Sequence, residues 1–280
     1  MLIALGSLKS SPGVTTAAAA IAAMWPGEGA GEPVLLEADA RGGDLAARFK
    51  LGQEPGLASL SVAARRSTDA SLLAEHVQEL PGGLKVALAP PPAENATAAM
   101  KMLAKDALEW LHAVAGQDDL AVIADLGDLA PEGHGWAVAG AAQVLLLVVR
   151  PVLEELTRVI SAAEQLLARC QAAGTRLALV TVGPGPFTVE EIEESTGLPV
   201  LAELPDDAAA AAMLAGRPDP RGALSRLAAR SGIAGLPLAK AAAELAATLA
   251  AEHLRTVQAD TEPRDGADDG AERQPIGAVA

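Results

Sequence analysis

Residues 6–16 read GSLKSSPGVTT, a small-residue turn that holds one lysine and closes on two threonines. An apolar run, 2–5, leads into it, and an alanine-rich stretch, 17–23, follows. Strand, tight loop and helix in that order aim backbone N–H groups and a helix N-terminus at one point, and phosphate is the anion that suits them. The ordinary phosphate-loop pattern, G-x-x-x-x-G-K-[ST], wants glycine at Leu8 and lysine at Val14. Only Gly13 and Thr15 meet it, while Lys9 stands five places before the missing lysine.

Three further stretches carry chemistry at matching places. Residues 34–49, VLLEADARGGDLAARF, end an apolar run in Glu37 and Asp39 and then turn at Gly42-Gly43. These two carboxylates are expected to point to opposite sides of the strand end, so that one faces a bound phosphate and the other lies behind it. Residues 120–129, LAVIADLGDL, place Asp125 at the tip of a second apolar run, just before Gly127. A carboxylate there holds Mg2+, usually through water, opposite the loop threonine. Residues 143–151, QVLLLVVRP, form a third run that ends in Arg150-Pro151. Each stretch also has a plain structural reading. An aspartate at a strand end commonly forms a turn, Gly42-Gly43 suits a turn before a helix capped by Asp44, and Lys9 suits a solvated loop. Taken together and in order, the four pieces converge on a nucleotide site.

The elements that must position these residues follow from the apolar pattern. Short runs at 2–6, 33–38, 84–89, 120–126, 143–150, 176–182 and 200–204 are apolar on both faces, as buried parallel strands are. Helical stretches at 15–24, 44–49, 69–79, 93–115, 152–173, 188–196 and 206–214 lie between them, and a final helix is expected at 236–254, with Leu238, Leu245 and Leu249 along one stripe. Alternation of strand and helix predicts an α/β fold with a doubly wound, mostly parallel sheet flanked by helices. Its ligand site belongs on the loops after the strands. Residues 1–256 are read as one domain. Residues 216–235 are read as a loop or short helix near the sheet edge, and 257–280 as a disordered acidic tail.

Composition narrows the function. The chain has 280 residues, half of them hydrophobic, with no Tyr, two Phe and three Trp, so its core is aliphatic. A net charge of −15 repels phosphate backbones and argues against nucleic-acid binding. The single cysteine, Cys170, excludes an internal disulfide or a cysteine zinc cluster, and reads as a small buried group in a reducing cytoplasm. No run of about 20 apolar residues predicts a membrane span, and no cleavable leader is expected ahead of Leu2. His76, His112, His134 and His253 lack metal-ligand spacing, Trp25, Trp110 and Trp136 are too scattered for a stacking platform, and neither G-x-S-x-G nor G-x-G-x-x-G occurs.

On the residues above, the chain resembles the ParA/MinD family of P-loop ATPases, whose deviant phosphate loop reads KGGxGKTT. In that alignment Lys9 takes the place of the signature lysine, which in the family reaches across a dimer to the partner's phosphates. Ser10 and Ser11 replace two glycines, Pro12 takes the variable position, Gly13 keeps its glycine and Val14 replaces the P-loop lysine. Thr15 falls on the Mg2+-binding hydroxyl, and Thr16 is its neighbour. Residues 34–43 resemble the family's VLLVDADPxGG, with Asp39 at the water-activating aspartate and Glu37 at the preceding one. Residues 123–127 resemble the Walker B strand, with Asp125 as the metal carboxylate, and 197–207 resemble a loop whose Pro205 borders the base. The resemblance spans about residues 1–254. It implies catalytic roles for Lys9 and Asp39, nucleotide contacts along 9–16 and at Pro205, Mg2+ on Thr15 and Asp125, and ATP as ligand.

The departures point to a branch. Val14 carries no charge, Pro12 has no N–H to donate, and Ser10 and Ser11 strain any loop position that needs a positive φ. Residues 181–187 lack the asparagine that often stands near the base. Loss of the loop lysine with the rest retained resembles the CpaE/TadZ branch, which is implicated in placing Flp/Tad pilus machinery. That branch implies a dimerising cytoplasmic scaffold with weak or absent hydrolysis, a protein partner in a pilus, secretion or division machine, and recruitment to the inner face of the membrane by that partner. The alternatives are a scaffold that binds no nucleotide, and a chromosome or plasmid partitioning ATPase.

Overall fold

The computed structural model describes residues 1–9, 12–27, 29–216 and 234–261, with side chains as far as 255. In chain order the elements are β1 (Leu2–Ser7), α1 (Val14–Ala23), β2 (Glu32–Glu37), α2 (Leu45–Phe49), α3 (Leu57–Ala64), α4 (Leu72–Glu75), β3 (Gln78–Glu79), β4 (Lys85–Ala87), α5 (Ala93–Asp106) and α6 (Leu108–Ala115). They continue as β5 (Leu120–Asp128), α7 (Gly135–Ala141), β6 (Val144–Val149), α8 (Leu153–Ala173), β7 (Arg176–Val182), α9 (Val189–Thr196), β8 (Val200–Leu204), α10 (Ala208–Leu214) and α11 (Pro237–Thr261).

Strand parity divides the interior into two cores. In β1, Leu2 and Ala4 enter one apolar cluster while Ile3 and Leu5 enter the other. In β6, Leu145 and Leu147 alternate in the same way with Leu146 and Val148. The first cluster is closed by Leu57 and Leu60 of α3, Met100 and Leu103 of α5, Trp110 of α6, Val138 of α7 and Leu156 of α8. The second is closed by the alanines of α1, Ala210 of α10, and Leu238, Leu245 and Leu249 of α11. Strands buried on both faces carry no polar alternation, which is why they read as continuous apolar runs. The alanines of α1 have side chains short enough for α11 to lie close across the helix.

The sheet order is β3-β4-β2-β5-β1-β6-β7-β8, and every pairing is parallel except β3 with β4. β1 thus sits between β5 and β6, so the loops after these three strands and after β2 crowd one edge of the sheet.

All seven expected strands form. The expected helix 69–79 is instead the short α4 followed by β3, an antiparallel edge strand. The expected helix 93–115 breaks at Ala107, where φ is −132°, into α5 and α6. Past that break Trp110 is buried in the core, and its Nε1 donates to the Asp69 carbonyl at 3.0 Å. Helices α3 and α7 were not anticipated. Helix α11 runs to Thr261, beyond its expected end at Leu254 and the expected domain boundary at 256. Residues 217–233, and the acidic tail from 262 onward, lie outside the described residues.

Candidate functional site

The phosphate-loop region is tied down at its start by Ser7. Its Oγ lies 2.7 Å from the Lys9 carbonyl oxygen and 3.3 Å from that of Gly127, which links the loop to the end of β5. At the far end Gly13 holds φ of +100°, a left-handed conformation that glycine adopts without a Cβ clash. Gly13 is also the N-cap of α1 and offers no side-chain bond, so the first N–H groups of the helix are left to the loop side. Ser10 and Ser11 lie outside the described residues. Lys9 is exposed and lines a small hollow with Glu155 and Arg158 on the α8 side of β6.

Val14, where the loop lysine is missing, is 5% exposed and belongs to the cluster that holds Ile21 and Leu245. Its side chain fills core. What Val14 retains for a ligand is its backbone N–H at the start of α1.

Asp125 is 1% exposed. Its Oδ1 accepts the Gly127 N–H at 3.0 Å, while Oδ2 is buried without a partner among the described residues. Burial pushes its pKa up to about 6; the Thr15 hydroxyl and the Gly127 N–H, both favouring the charged form, pull the other way. An orphaned carboxylate oxygen beside a threonine hydroxyl is a pair of hard oxygen donors, which fits Mg2+. The described residues contain no cluster of three or more His, Cys, Asp or Glu side chains that could cage a metal alone.

Glu37 and Asp39 part company because β2 stops at Glu37. Glu37 is buried; its Oε1 accepts the N–H groups of Asp44 and Leu45 at 2.9 and 3.1 Å, and its Oε2 accepts that of Ala89 at 2.9 Å. It therefore caps α2, the role the sequence assigned to Asp44. Asp44 offers no cap bond and pairs with Arg48 at 2.8 Å. A Cβ on Gly43 would overlap the Glu37 carboxylate, so the Gly-Gly turn makes room for it. Asp39 lies past the strand end and is half-buried. Its Oδ1 accepts the Arg41 N–H at 2.8 Å, and its head lies over Gly127, where a Cβ would overlap it. Burial raises its pKa, opposed by the Arg41 N–H and guanidinium. Arg41 also pairs with Asp128 at 3.5 Å, an acid that pattern reading did not single out.

Beside the loop lies a cleft of about 350 Å³. Pro12, Gly13 and Thr16, Arg150, Val182 to Pro184 and Pro205 are among the residues that line it. Of the expected nucleotide contacts, Pro12, Gly13, Thr16 and Pro205 share this cleft, and Lys9, Val14 and Thr15 are not among its described lining residues. Asp207 holds the β8 side in place: its Oδ1 accepts the N–H groups of Ala209 and Ala210 at 3.1 and 3.0 Å, and its Oδ2 that of Leu238 at 3.4 Å. The aspartate before an alanine run is a helix-start signal that could have been found in the sequence. A second hollow, between Ala22, Phe49, Pro81 and Met213, is apolar and only about 70 Å³, and no charged side chain among the described residues lines it.

A parallel sheet of this order, with a glycine loop after β1 and an acid at the end of β5, has the fold of the ParA/MinD P-loop ATPases. The chain is similar to a ParA family ATPase from Chlorobium tepidum, with 22% identity and a TM-score of 0.62 over 88% of this chain and 98% of that one. It is similar to the septum site-determining protein MinD of Pyrococcus horikoshii, solved with Mg-ADP, with 18% identity and a TM-score of 0.63 over 92% and 98%. A Cyanothece McdA variant in complex with ATP matches with 15% identity and a TM-score of 0.56 over 83% and 96%. No protein-family model and no curated protein matches the sequence.

Proposed function

We propose that this chain is a ParA/MinD-like regulator that binds Mg-ATP, dimerises around it and turns it over slowly or not at all, serving as a positional scaffold of the CpaE/TadZ kind for a pilus assembly machine. The observation that carries the nucleotide reading is the orphaned Oδ2 of Asp125 buried beside Thr15 at the N-terminus of α1. Gly13 and the first N–H groups of α1 would bind phosphate. Thr15 and Asp125 would hold Mg2+, which neutralises phosphate charge when bound. Asp39, held by the Arg41 N–H, would orient a water. Lys9 is exposed and stands outside its own cleft, which suits a reach to the phosphates of a second copy.

Two features favour slow chemistry. The buried Val14 brings no charge to the phosphates, and Pro12 brings no N–H. The burial of Val14 also supports a second reading, a scaffold that has kept the fold and lost the ligand. The acidic balance of the chain disfavours a DNA-bound partitioning protein. No described helix is long and apolar enough to cross a membrane, so a place at the membrane would come through a protein partner.

Titration with Mg-ATP under mass determination, on wild type and Lys9→Ala, separates the readings. Dimerisation of the wild type but not of Lys9→Ala supports the ATP-bridged dimer. If millimolar ATP neither binds nor changes the mass, the switch is wrong and the ligand-free scaffold stands.

A further inference from the structure

We propose that Arg150 supplies the phosphate-binding cation that the chain lost at Val14; this rests on the nucleotide reading above. Among the described residues lining the cleft, Arg150 carries the one basic side chain, and Gly13 and Thr16 line the same cleft. It is exposed and forms no ion pair with any described residue. Its position follows from the sheet. Arg150 is the residue after β6, and β6 is hydrogen-bonded directly to β1, whose loop leads to Gly13. Adjacent strands stand about 4.8 Å apart, so a long side chain leaving the end of β6 spans the distance to a ligand seated on the neighbouring loop.

The backbone beneath Arg150 is held on three sides. Its N–H donates to Glu155 Oε2 at 2.7 Å, and its carbonyl accepts the Val152 N–H at 2.8 Å. The next residue, Pro151, lies so close to Gly185 that a Cβ there would overlap the Pro151 carbonyl. The guanidinium therefore springs from a fixed point, and a planar group with several donors suits phosphate oxygens.

The charges of the cleft also give a bound ligand its direction. The two lining carboxylates stand at the β8 end: Asp207 is occupied by three N–H groups, and Asp206 follows Pro205. The cation, the glycine turn and the N-terminus of α1 stand at the other end. An anionic tail belongs against Arg150 and Thr16, and an uncharged nucleoside belongs against Val182 and Pro205.

Equilibrium binding of ATP, ADP and adenosine to the full chain with Mg2+ tests this. Wild type, Arg150→Ala, Arg150→Lys and the remote charge control Arg65→Ala are compared, with folding checked by circular dichroism. Arg150→Ala is expected to weaken ATP at least tenfold and ADP less, leaving adenosine unchanged. Arg150→Lys should recover part of the loss, and Arg65→Ala should bind as wild type does. If wild type binds ATP and Arg150→Ala binds it equally well, this inference falls while the nucleotide reading stands. An equal loss for adenosine and ATP would make Arg150 a nucleoside contact and overturn the phosphate role. Absence of ATP binding by the wild type removes the nucleotide reading and this inference with it.

Discussion

Glu37 carries a negative charge into a site almost without water, and three backbone N–H groups converge on it. Burial still dominates and pushes its pKa from 4.5 up to about 7. Over that interval the folded chain holds a proton that the unfolded chain releases, so this group's contribution to stability is complete below pH 4.5 and is lost as pH rises through about 7. At about 1.4 kcal/mol per pKa unit, the loss is at most about 3.5 kcal/mol. Urea unfolding at a series of pH values should show wild-type stability falling across this window more steeply than that of Glu37→Gln; parallel curves would refute it. The expectation that Glu37 and Asp39 point to opposite sides does not follow from strand periodicity. Two residues apart in a continued strand, they would share a face. The division comes from the end of β2 and from the missing Cβ of Gly43, and both depend on packing against β4 and α2.

Among the elements, the β8–α10 corner rests three backbone N–H groups on a single side chain. Asp207 closes the N-terminus of α10 and reaches the first turn of α11. Asp207→Ala removes an N-cap, a loss of typically about 1 kcal/mol, and it also releases Leu238. The expected result is a lower urea midpoint with an unchanged slope; an unchanged midpoint would show that α11 is held by Leu238, Leu245 and Leu249 alone. The long elements were legible because their patterns are strong: buried strands as apolar runs, α8 and α11 as leucine stripes. Helix α7, GWAVAGA, carries no charge and no period, and β3 has only two residues, so neither leaves a trace that local pattern can hold. The break at Ala107 is equally silent, since alanine continues a helix readily and only the burial of Trp110 marks the turn.

At the scale of the whole molecule, strand order was beyond the sequence. The alternation of elements predicts parallel pairing, but the placement of β1 between β5 and β6 is decided by crossovers between segments more than a hundred residues apart. The site was legible as a set of loops; the structure adds a cleft lined from the ends of β1, β6, β7 and β8, with Asp39 and Asp125 not among its described lining residues. That cleft is walled by Pro12 and Gly13 from the front of the chain, and by Pro205 and Leu238 from the back. A small molecule held there works as a clasp between the two ends of the fold. Ligand at 100 times its Kd adds about 2.7 kcal/mol to the form that binds it, and here that gain reaches the attachment of α11. Hydrogen exchange should therefore slow along α11 when Mg-ATP is present, with no change along α6, whose residues do not line the cleft. Equal exchange in α11 with and without ligand would mean that the clasp does not close. If it does close, the last helix of the chain becomes the reporter of what its first loop has bound.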